Sequence, residues 1–332
     1  MRLGILISGF EDGSLKDIAG TVKTIGYSDV EISACFNDRR PNIVSCTKKE
    51  ALETVKYIRK LGLEISSFQC HFHFGYALGN NEMIKNPPSC AAGNRDESIE
   101  HTKRVIDLAE CSGVGIVHTV SGILPELDAV QNVKYTGNID YPARKAWRNM
   151  LDSYQVILDY AAKKKVKIAI EPVFAYIVGN YETTRKLFDD LGRDDLYLNY
   201  DPSHFPYHNE SALPLIEDFG KKIIHVHVKD AGIVKLKKEN IKTGGYVYAM
   251  RSGKEAFTFA PPGKGVLDWD KIVLALQKTG YDGVLSVEMG HGYPGTPEEN
   301  ARECFVFFRA LLNKFSNSHY GDRLPRSCIA GE

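Results

Sequence analysis

The strongest constraint on the fold of this chain is a regular alternation of strand-like and helix-like segments along its 332 residues. Eight short apolar runs have strand length, at 2–7, 29–33, 64–70, 115–120, 166–171, 196–201, 223–229 and 283–288. Helical periodicity follows them, at 14–25, 48–60, 95–111, 142–164, 181–191, 211–219, 269–279 and 297–315. Eight such units without a break in composition predict an α/β fold, a single-domain (β/α)8 TIM barrel over residues 1–316, followed by an irregular tail over 317–332.

An open, doubly wound sheet is the main alternative architecture. It would normally show a glycine-rich phosphate-binding turn after the first strand. In this chain the turn runs from Ser8 to Gly13, has the wrong glycine spacing and contains two acidic residues that would repel phosphate. The sequence therefore favours the closed barrel.

Three long insertions follow predicted strand ends, at 71–94, 121–141 and 231–268. The loops after barrel strands lie on the C-terminal face, where they form the substrate pocket. We expect lids or interaction surfaces there, since loops of this length in a compact domain are usually functional.

The composition argues against several classes of binding partner. The 42 basic and 42 acidic residues give a formal charge of zero, which argues against nucleic acid and against an anionic membrane surface. No apolar stretch approaches the roughly 18 residues of a membrane span. The seven cysteines form no CxxC pair and the first ten residues read as a strand, so we expect a cytoplasmic protein with reduced thiols.

Four candidate metal ligands stand at the ends of four successive predicted strands: Glu171, Asp201, His227 and Glu288. Side chains alternate across a strand, and in each of these strands the apolar row belongs against the helices. The ligand candidates then point into the barrel. One layer below them lie Ala169, Asn199, His225 and Ser286.

A single acid at a strand end is more often a helix cap or half of a salt bridge than a ligand. Three inward carboxylates at one level, however, would repel each other without a cation. Three oxygen ligands and one imidazole suit Mn²⁺ best, with Mg²⁺, Co²⁺ or Zn²⁺ also possible.

Further residues are candidates for binding substrate hydroxyls: His204, Lys229, His71, His118 and Arg251. His204 could equally be a loop histidine in water, and Lys229 could equally pair with Asp230. Of the histidines near strands three and four, we expect one or two to line the pocket.

At these residues the chain resembles the xylose-isomerase-like barrel superfamily, which includes sugar isomerases, ketose 3-epimerases, inosose-processing enzymes and endonuclease IV. The matching segments are 169–172, 201–204, 225–230, 262–269 and 286–288. The resemblance implies that Glu171, Asp201, His227 and Glu288 hold the metal and that His204 contacts substrate. Endonuclease IV needs further histidines, and this chain has none between His227 and His291.

The expected function is a metal-dependent sugar isomerase or epimerase in which Glu171 or Glu288 removes a proton next to a carbonyl. One alternative is a lyase that eliminates a substituent from a 3-keto-glycoside, as in the barrel subunit of C-glycoside deglycosidases, which has a small β-rich partner. Another is a barrel that binds a sugar or a partner without catalysis. We expect a small carbohydrate as substrate, and either a homo-oligomer or a hetero-oligomer with such a β-rich subunit.

Overall fold

The computed structural model describes residues 1–10, 13–33, 47–73, 95–122, 141–174, 176–235, 248–250, 254–290 and 293–317. Eight parallel strands close into a barrel in the order β1-β11-β7-β6-β5-β4-β3-β2. These strands are β1 (Arg2–Leu6), β2 (Asp29–Ser33), β3 (Glu64–His73), β4 (Ile116–Val120), β5 (Lys167–Glu171), β6 (Leu196–Tyr200), β7 (Ile223–Val228) and β11 (Val284–Val287). The predicted (β/α)8 barrel is confirmed, although β3 extends three residues beyond its predicted end.

Eight helices accompany these strands within the described residues. They are α1 (Leu15–Ile25), α2 (Lys48–Lys60), α3 (Arg95–Ser112), α4 (Tyr141–Lys164), α5 (Tyr181–Leu191), α6 (Leu213–Phe219), α7 (Trp269–Lys278) and α8 (Pro297–Asn317). Among the helices of the described ranges, none combines the length and the hydropathy that a membrane span requires.

Local sequence signals explain where several helices start and stop. Capping boxes at Ser14, Thr47 and Asn180 satisfy the first free N–H groups of α1, α2 and α5. Gly26 ends α1 in the left-handed region with φ 118°, and a Cβ atom there would lie 2.8 Å from the ring of Phe305. Glycine is therefore required both by the backbone and by close packing against α8.

The apolar face of each strand packs under the surrounding helices. Ile168 and Ile170 of β5, and Leu285 and Val287 of β11, are fully buried in the main core. The first and last units are also joined by a hydrogen bond, since the buried Tyr27 hydroxyl donates to the carbonyl of Ala301 in α8, 2.8 Å away. With the outer faces occupied in this way, the alternate residues of each strand point into the barrel.

The third predicted insertion is not only a loop, because it contains a small antiparallel sheet. Strands β8 (Asp230–Lys235), β9 (Tyr248–Ala249) and β10 (Glu255–Ala260) form it in the order β8-β10-β9. Phe257 pairs with Ile233 and Phe259 pairs with Ala231, so both phenylalanines lie on one face. The hairpin therefore begins directly after β7, the strand that contains His227.

The chain that returns from this hairpin is fastened to the buried carboxylate of Asp230. Oδ1 accepts hydrogen bonds from the backbone of Ala231 and Leu267, and Oδ2 accepts from the backbone of Gly263 and Gly265 and from Trp269 Nε1, all at 2.8–3.2 Å. A Cβ atom at Gly265 would lie 2.1 Å from Asp230 Oδ1. Glycine there lets the loop approach the carboxylate.

We predict that Asp230→Ala lowers the free energy of unfolding by about 3 kcal/mol or more, because it leaves several buried donors without an acceptor. The measurement is urea denaturation. The matched control is Asp268→Ala in the same loop, an exposed residue that caps α7 and whose loss costs about 1 kcal/mol. Equal losses for the two variants would contradict the role given to Asp230.

Candidate metal centre

The structure brings the four predicted ligands together inside the barrel. Glu171 ends β5, Asp201 follows β6, His227 lies in β7 and Glu288 follows β11. One nitrogen or oxygen atom from each side chain lies within 4.8 Å of the others. Two ligands on opposite sides of one divalent ion are about 4.4 Å apart, so this spacing fits a shared ion.

Two of the converging side chains also have atoms that need a partner. His227 Nδ1 lies 2.9 Å from Glu288 Oε2 and 3.3 Å from Glu171 Oε2, and Asp201 Oδ2 lies 3.0 Å from Lys229 Nζ. Despite these short distances, neither His227 Nδ1 nor Asp201 Oδ2 makes a hydrogen bond of suitable geometry within the described part of the chain. A cation among these atoms would satisfy both, so the residues present fit a divalent metal.

Glu31 of β2 is the residue that the sequence analysis missed. Its buried carboxylate accepts hydrogen bonds from the hydroxyls of Ser67 and Ser286, each at 2.8 Å. The rings of His118 and His227 each place a nitrogen 2.9 Å from the same carboxylate. Groups from β3, β4, β7 and β11 therefore meet at this one side chain.

Glu31 decides which nitrogen of His227 faces the candidate metal. A carboxylate only accepts hydrogen bonds, so His227 Nε2 must be protonated where it meets Glu31 Oε2. Nδ1 is then the nitrogen that faces Glu171 and Glu288, and the carboxylates around the ring raise the pKa of His227, so Nδ1 binds a metal only when it gives up its proton. This carboxylate–histidine arrangement is typical of metal sites, where the carboxylate fixes the tautomer of the ligand.

His118 links the two carboxylates of the interior. Its Nδ1 lies 2.9 Å from Glu31 Oε1 and its Nε2 lies 2.9 Å from Glu171 Oε2. The side chain is fully buried and both ring nitrogens face carboxylates, so it supports Glu171 from below. This placement does not favour the predicted contact between His118 and a substrate hydroxyl.

The electrostatics of this interior favour ionised acids. Burial raises the pKa of Glu31 and of Glu171, but the facing histidines outweigh it and hold both pKa values well below the usual range. For both acids the largest opposing contribution comes from His227, and the contact with His118 adds to it.

A hydrogen-bond chain of neutral groups holds Glu171 from the neighbouring strands. Asn199 Nδ2 donates to Glu171 Oε2 over 3.1 Å, and Asn199 Oδ1 lies 2.9 Å from His225 Nδ1. Burial, with a further contribution from His227, lowers the pKa of His225 to about 4, so its ring is neutral at pH 7. The predicted polar layer beneath the ligands is therefore present.

His204 and Lys229 lie at the upper rim of the same centre. His204 Nε2 is 3.1 Å from Glu171 Oε1, and Lys229 Nζ is 2.7 Å from Glu288 Oε2. Burial lowers the pKa of Lys229, but Asp201 and Glu288 outweigh it and raise the pKa above its usual value. Lys229 therefore pairs with Asp201 and Glu288, while Asp230 holds the loop after the hairpin.

Some predicted residues fall outside the residues that the structure describes. These are the His71 side chain, Arg251, most of the first two insertions, residues 236–247 and 251–253 of the third insertion, and the tail after Asn317. The roles proposed for them stay predictions.

Sequence and structure comparisons agree with this fold. The sequence matches the xylose isomerase-like TIM barrel family over residues 20–311. The chain belongs to this family. Its similarity to the inosose dehydratase of Clostridium perfringens is 30% identity over 142 residues, which is 43% of this chain and 46% of that enzyme. The chain thus matches about half the length of this curated relative.

Solved structures of xylose isomerase-like barrels share the fold at low identity. An L-ribulose 3-epimerase has a TM-score of 0.68 and 16% identity, covering 98% of this chain and 99% of that one. A protein named IOLI, solved with a bound zinc atom, has a TM-score of 0.66 and 20% identity, covering 95% and 99%. The activities named among these similar proteins include those of an inosose dehydratase and an L-ribulose 3-epimerase.

We predict that Glu31→Gln lowers the affinity for a divalent ion about 10- to 100-fold. A glutamine amide has one donor side, which must face His118 or His227 and force a tautomer change in one of them. Affinity is measured by competition with a chromogenic chelator, and the tautomer by ¹⁵N NMR of the histidines.

The matched control for this substitution is Ser67→Ala. It removes one hydrogen bond to Glu31 but keeps the charge and both histidine contacts. We expect metal affinity close to that of the unmodified protein. Wild-type affinity and histidine spectra in Glu31→Gln would show that Glu31 does not orient His227.

Proposed function

We propose that this chain is a divalent-metal-dependent carbohydrate isomerase or epimerase that removes a proton from the carbon next to a carbonyl. The observation that supports this proposal is the convergence of Glu171, Asp201, His227 and Glu288. A bound divalent ion would polarise the substrate carbonyl and stabilise the negative charge that develops on its oxygen. The oxygen-rich ligand set favours Mn²⁺, with Mg²⁺, Co²⁺ or Zn²⁺ as alternatives.

Glu288 is the carboxylate best placed to accept the substrate proton. Its side chain is 20% exposed, whereas that of Glu171 is 1% exposed. Burial raises the pKa of Glu288, but Lys229 and His227 outweigh it and hold the pKa below the usual value. Glu288 is therefore ionised at neutral pH and can act as a base.

Glu171 provides a second carboxylate on another side of the centre. In the closed barrel β5 lies three places from β11, so the two acids approach from different directions. His204, His118 and Asn199 hold the two oxygens of Glu171 in place. Return of the proton to the opposite face of the same carbon gives an epimer, and return to the neighbouring carbon gives an isomer.

Elimination is the second candidate reaction, and Lys229 is the observation that favours it. The ammonium hydrogen-bonds to Glu288, so a base and an acid lie side by side. Glu288 would take the proton, the electrons of the C–H bond would form C=C, the C–O bond at the next carbon would break, and the oxygen that leaves with its electron pair would take a proton from Lys229. Loss of water would make the enzyme a dehydratase, as its Clostridium perfringens relative is named. The C-glycoside deglycosidase alternative belongs to this class, with C–C cleavage in place of C–O cleavage.

The predicted cytoplasmic location and the predicted homo-oligomer or hetero-oligomer with a β-rich subunit stay predictions. They do not affect the chemistry proposed for the barrel interior.

Exchange with solvent distinguishes the two reactions. We expect that free ketoses or cyclic keto sugars incubated with the protein and Mn²⁺ in D₂O gain deuterium next to the carbonyl without losing a substituent, as read by mass spectrometry. Release of water or an aglycone with formation of a conjugated enone would establish elimination instead. Removal of divalent ions with a chelator should abolish either reaction, and added Mn²⁺ should restore it. Turnover that survives chelation would contradict the proposal.

We predict that Glu288→Gln lowers the exchange rate at least about 100-fold, because the amide cannot accept the proton. Circular dichroism should show an unchanged fold. Glu303→Gln is the matched control, since Glu303 is exposed and pairs with Lys264 on the outer surface. An exchange rate for Glu288→Gln within a few-fold of the control would exclude Glu288 as the base.

A further inference from the structure

Strand β3 has an extra residue beside β2, at the level of Glu31. Glu31 pairs with Ser67, whereas the preceding residue of β2 pairs with Ile65. Ser66 is therefore the extra residue of a β-bulge. Ile65 and Phe68 both pack in the main core, although side chains three positions apart in a regular strand point to opposite faces. The bulge lets the two serines between them both contact groups of the barrel interior.

Ser66 reaches across the barrel to a histidine of the opposite strand. In the ring of eight strands, β3 and β7 lie four places apart in either direction. Ser66 Oγ nevertheless lies 3.2 Å from His225 Nε2, and in the described part of the chain it is the hydrogen-bond partner of that nitrogen. The other ring nitrogen, Nδ1, lies 2.9 Å from Asn199 Oδ1. A second register shift, between β6 and β7, places His225 opposite Asn199.

The donor and acceptor roles in this chain of groups follow from the carboxylate at its end. Glu171 only accepts hydrogen bonds, so Asn199 directs Nδ2 to Glu171 and Oδ1 to His225. Because Oδ1 also only accepts, the single proton of the neutral His225 ring is on Nδ1. Nε2 then has a lone pair, and the Ser66 hydroxyl donates to it. Every hydrogen bond from Ser66 to Glu171 therefore points toward the carboxylate.

Glu31 favours the opposite tautomer of His225. Its Oε2 atom lies 3.8 Å from His225 Nε2, which is too far for a hydrogen bond but close enough to attract a proton to that nitrogen. The carbonyl of Val30, 3.3 Å from Ser66 Oγ, also competes for the serine proton. The Ser66 hydroxyl opposes both effects, since a donor at Nε2 keeps that nitrogen unprotonated.

The wrong tautomer would disturb Glu171. With the proton on Nε2, His225 Nδ1 and Asn199 Oδ1 would be two acceptors 2.9 Å apart. The Asn199 amide would turn over to relieve this repulsion, and its oxygen would then face Glu171 Oε2 in place of Nδ2. One hydrogen bond to the carboxylate would become a contact between two acceptors.

We propose that Ser66 is a positioning residue for Glu171, which acts through the tautomer of His225 and the amide of Asn199. Its hydroxyl contacts His225 and the backbone of β2, so its effect on Glu171 is indirect. This support is separate from that of Glu31, which orients His227. The kinetic consequence rests on the proposed function, whereas the tautomer of His225 is a property of the folded chain alone.

The first measurement is ¹⁵N NMR of the histidines in the full-length, metal-free protein. We expect His225 to carry its proton on Nδ1 in the unmodified protein. Ser66→Ala removes the donor, and the proton should move to Nε2, toward Glu31. Ser66→Thr keeps the hydroxyl on a residue type that suits a strand, so it should retain the original tautomer.

The second measurement is the affinity for Mn²⁺, by competition with a chromogenic chelator. Ser66→Ala should lower it about fivefold, as expected for the loss of one hydrogen bond. At saturating Mn²⁺, kcat for deuterium exchange should fall by a similar factor with little change in KM, because Glu171 is misaligned and not lost. The matched control is Ser67→Ala, which makes the same deletion at the adjacent residue and should keep both the tautomer and the affinity.

Circular dichroism verifies that each variant is folded. If Ser66→Ala is unfolded, Ser66→Cys takes its place, since a thiol fills the same position but donates weakly and should shift the tautomer in the same direction.

A proton on Nε2 of His225 in the unmodified protein would overturn the inference, as would an unchanged tautomer in Ser66→Ala. A changed tautomer with unchanged Mn²⁺ affinity would show that Ser66 does not act on Glu171. Equal losses in Ser67→Ala would show a general effect of the bulge and would also contradict the role of Ser66. If the protein exchanges deuterium with no ketone, the proposed function is wrong, while the tautomer and the Mn²⁺ affinity still decide the role of Ser66.

Discussion

Repulsion between carboxylates inside the barrel is the constraint on which the rest of this site depends. Glu31, Glu171 and Asp201 are at most 1% exposed, and Glu288 lies at their rim. Buried like charges are costly unless cations or hydrogen-bond donors surround them. His118, His227 and Lys229 provide part of that compensation from neighbouring strands, and the converging ligand atoms leave a position that suits a divalent ion.

The interior is built in two levels, and the lower level orients the upper one. Glu31 fixes the protonated nitrogen of His227, while Asn199 and His118 hold one oxygen of Glu171 from two strands. Because these supports come from different strands of a closed barrel, none of them can shift without disturbing its neighbours. Such preorganisation keeps the ligand atoms in place before an ion or a substrate arrives.

Much of this architecture could be predicted from the sequence because alternation along a strand is a local property. The inward placement of Asn199, His225 and Ser286 followed from the outward position of their apolar neighbours. Glu31 could have been found in the same way, since Val30 and Ile32 form the apolar row of β2. It was overlooked because it does not end its strand and because its partners come from four other strands.

The hairpin was harder to predict, since its pairing joins segments that are distant in sequence. Considered separately, residues 230–235 and 255–260 resemble parts of a long loop. Their antiparallel pairing makes them strands, and it places Phe257 and Phe259 on one face of the small sheet. The approach of Phe259 to Lys229, and the need for Gly290 beside it, are tertiary contacts without a local sequence signal.

Anomalous diffraction from crystals grown with Mn²⁺ tests the central claim most directly. The account predicts one ion per chain, about 2.0–2.3 Å from an oxygen of Glu171, Asp201 and Glu288 and from Nδ1 of His227. An ion bound through His227 Nε2, an ion bound elsewhere, or no ion at saturating Mn²⁺ would contradict it.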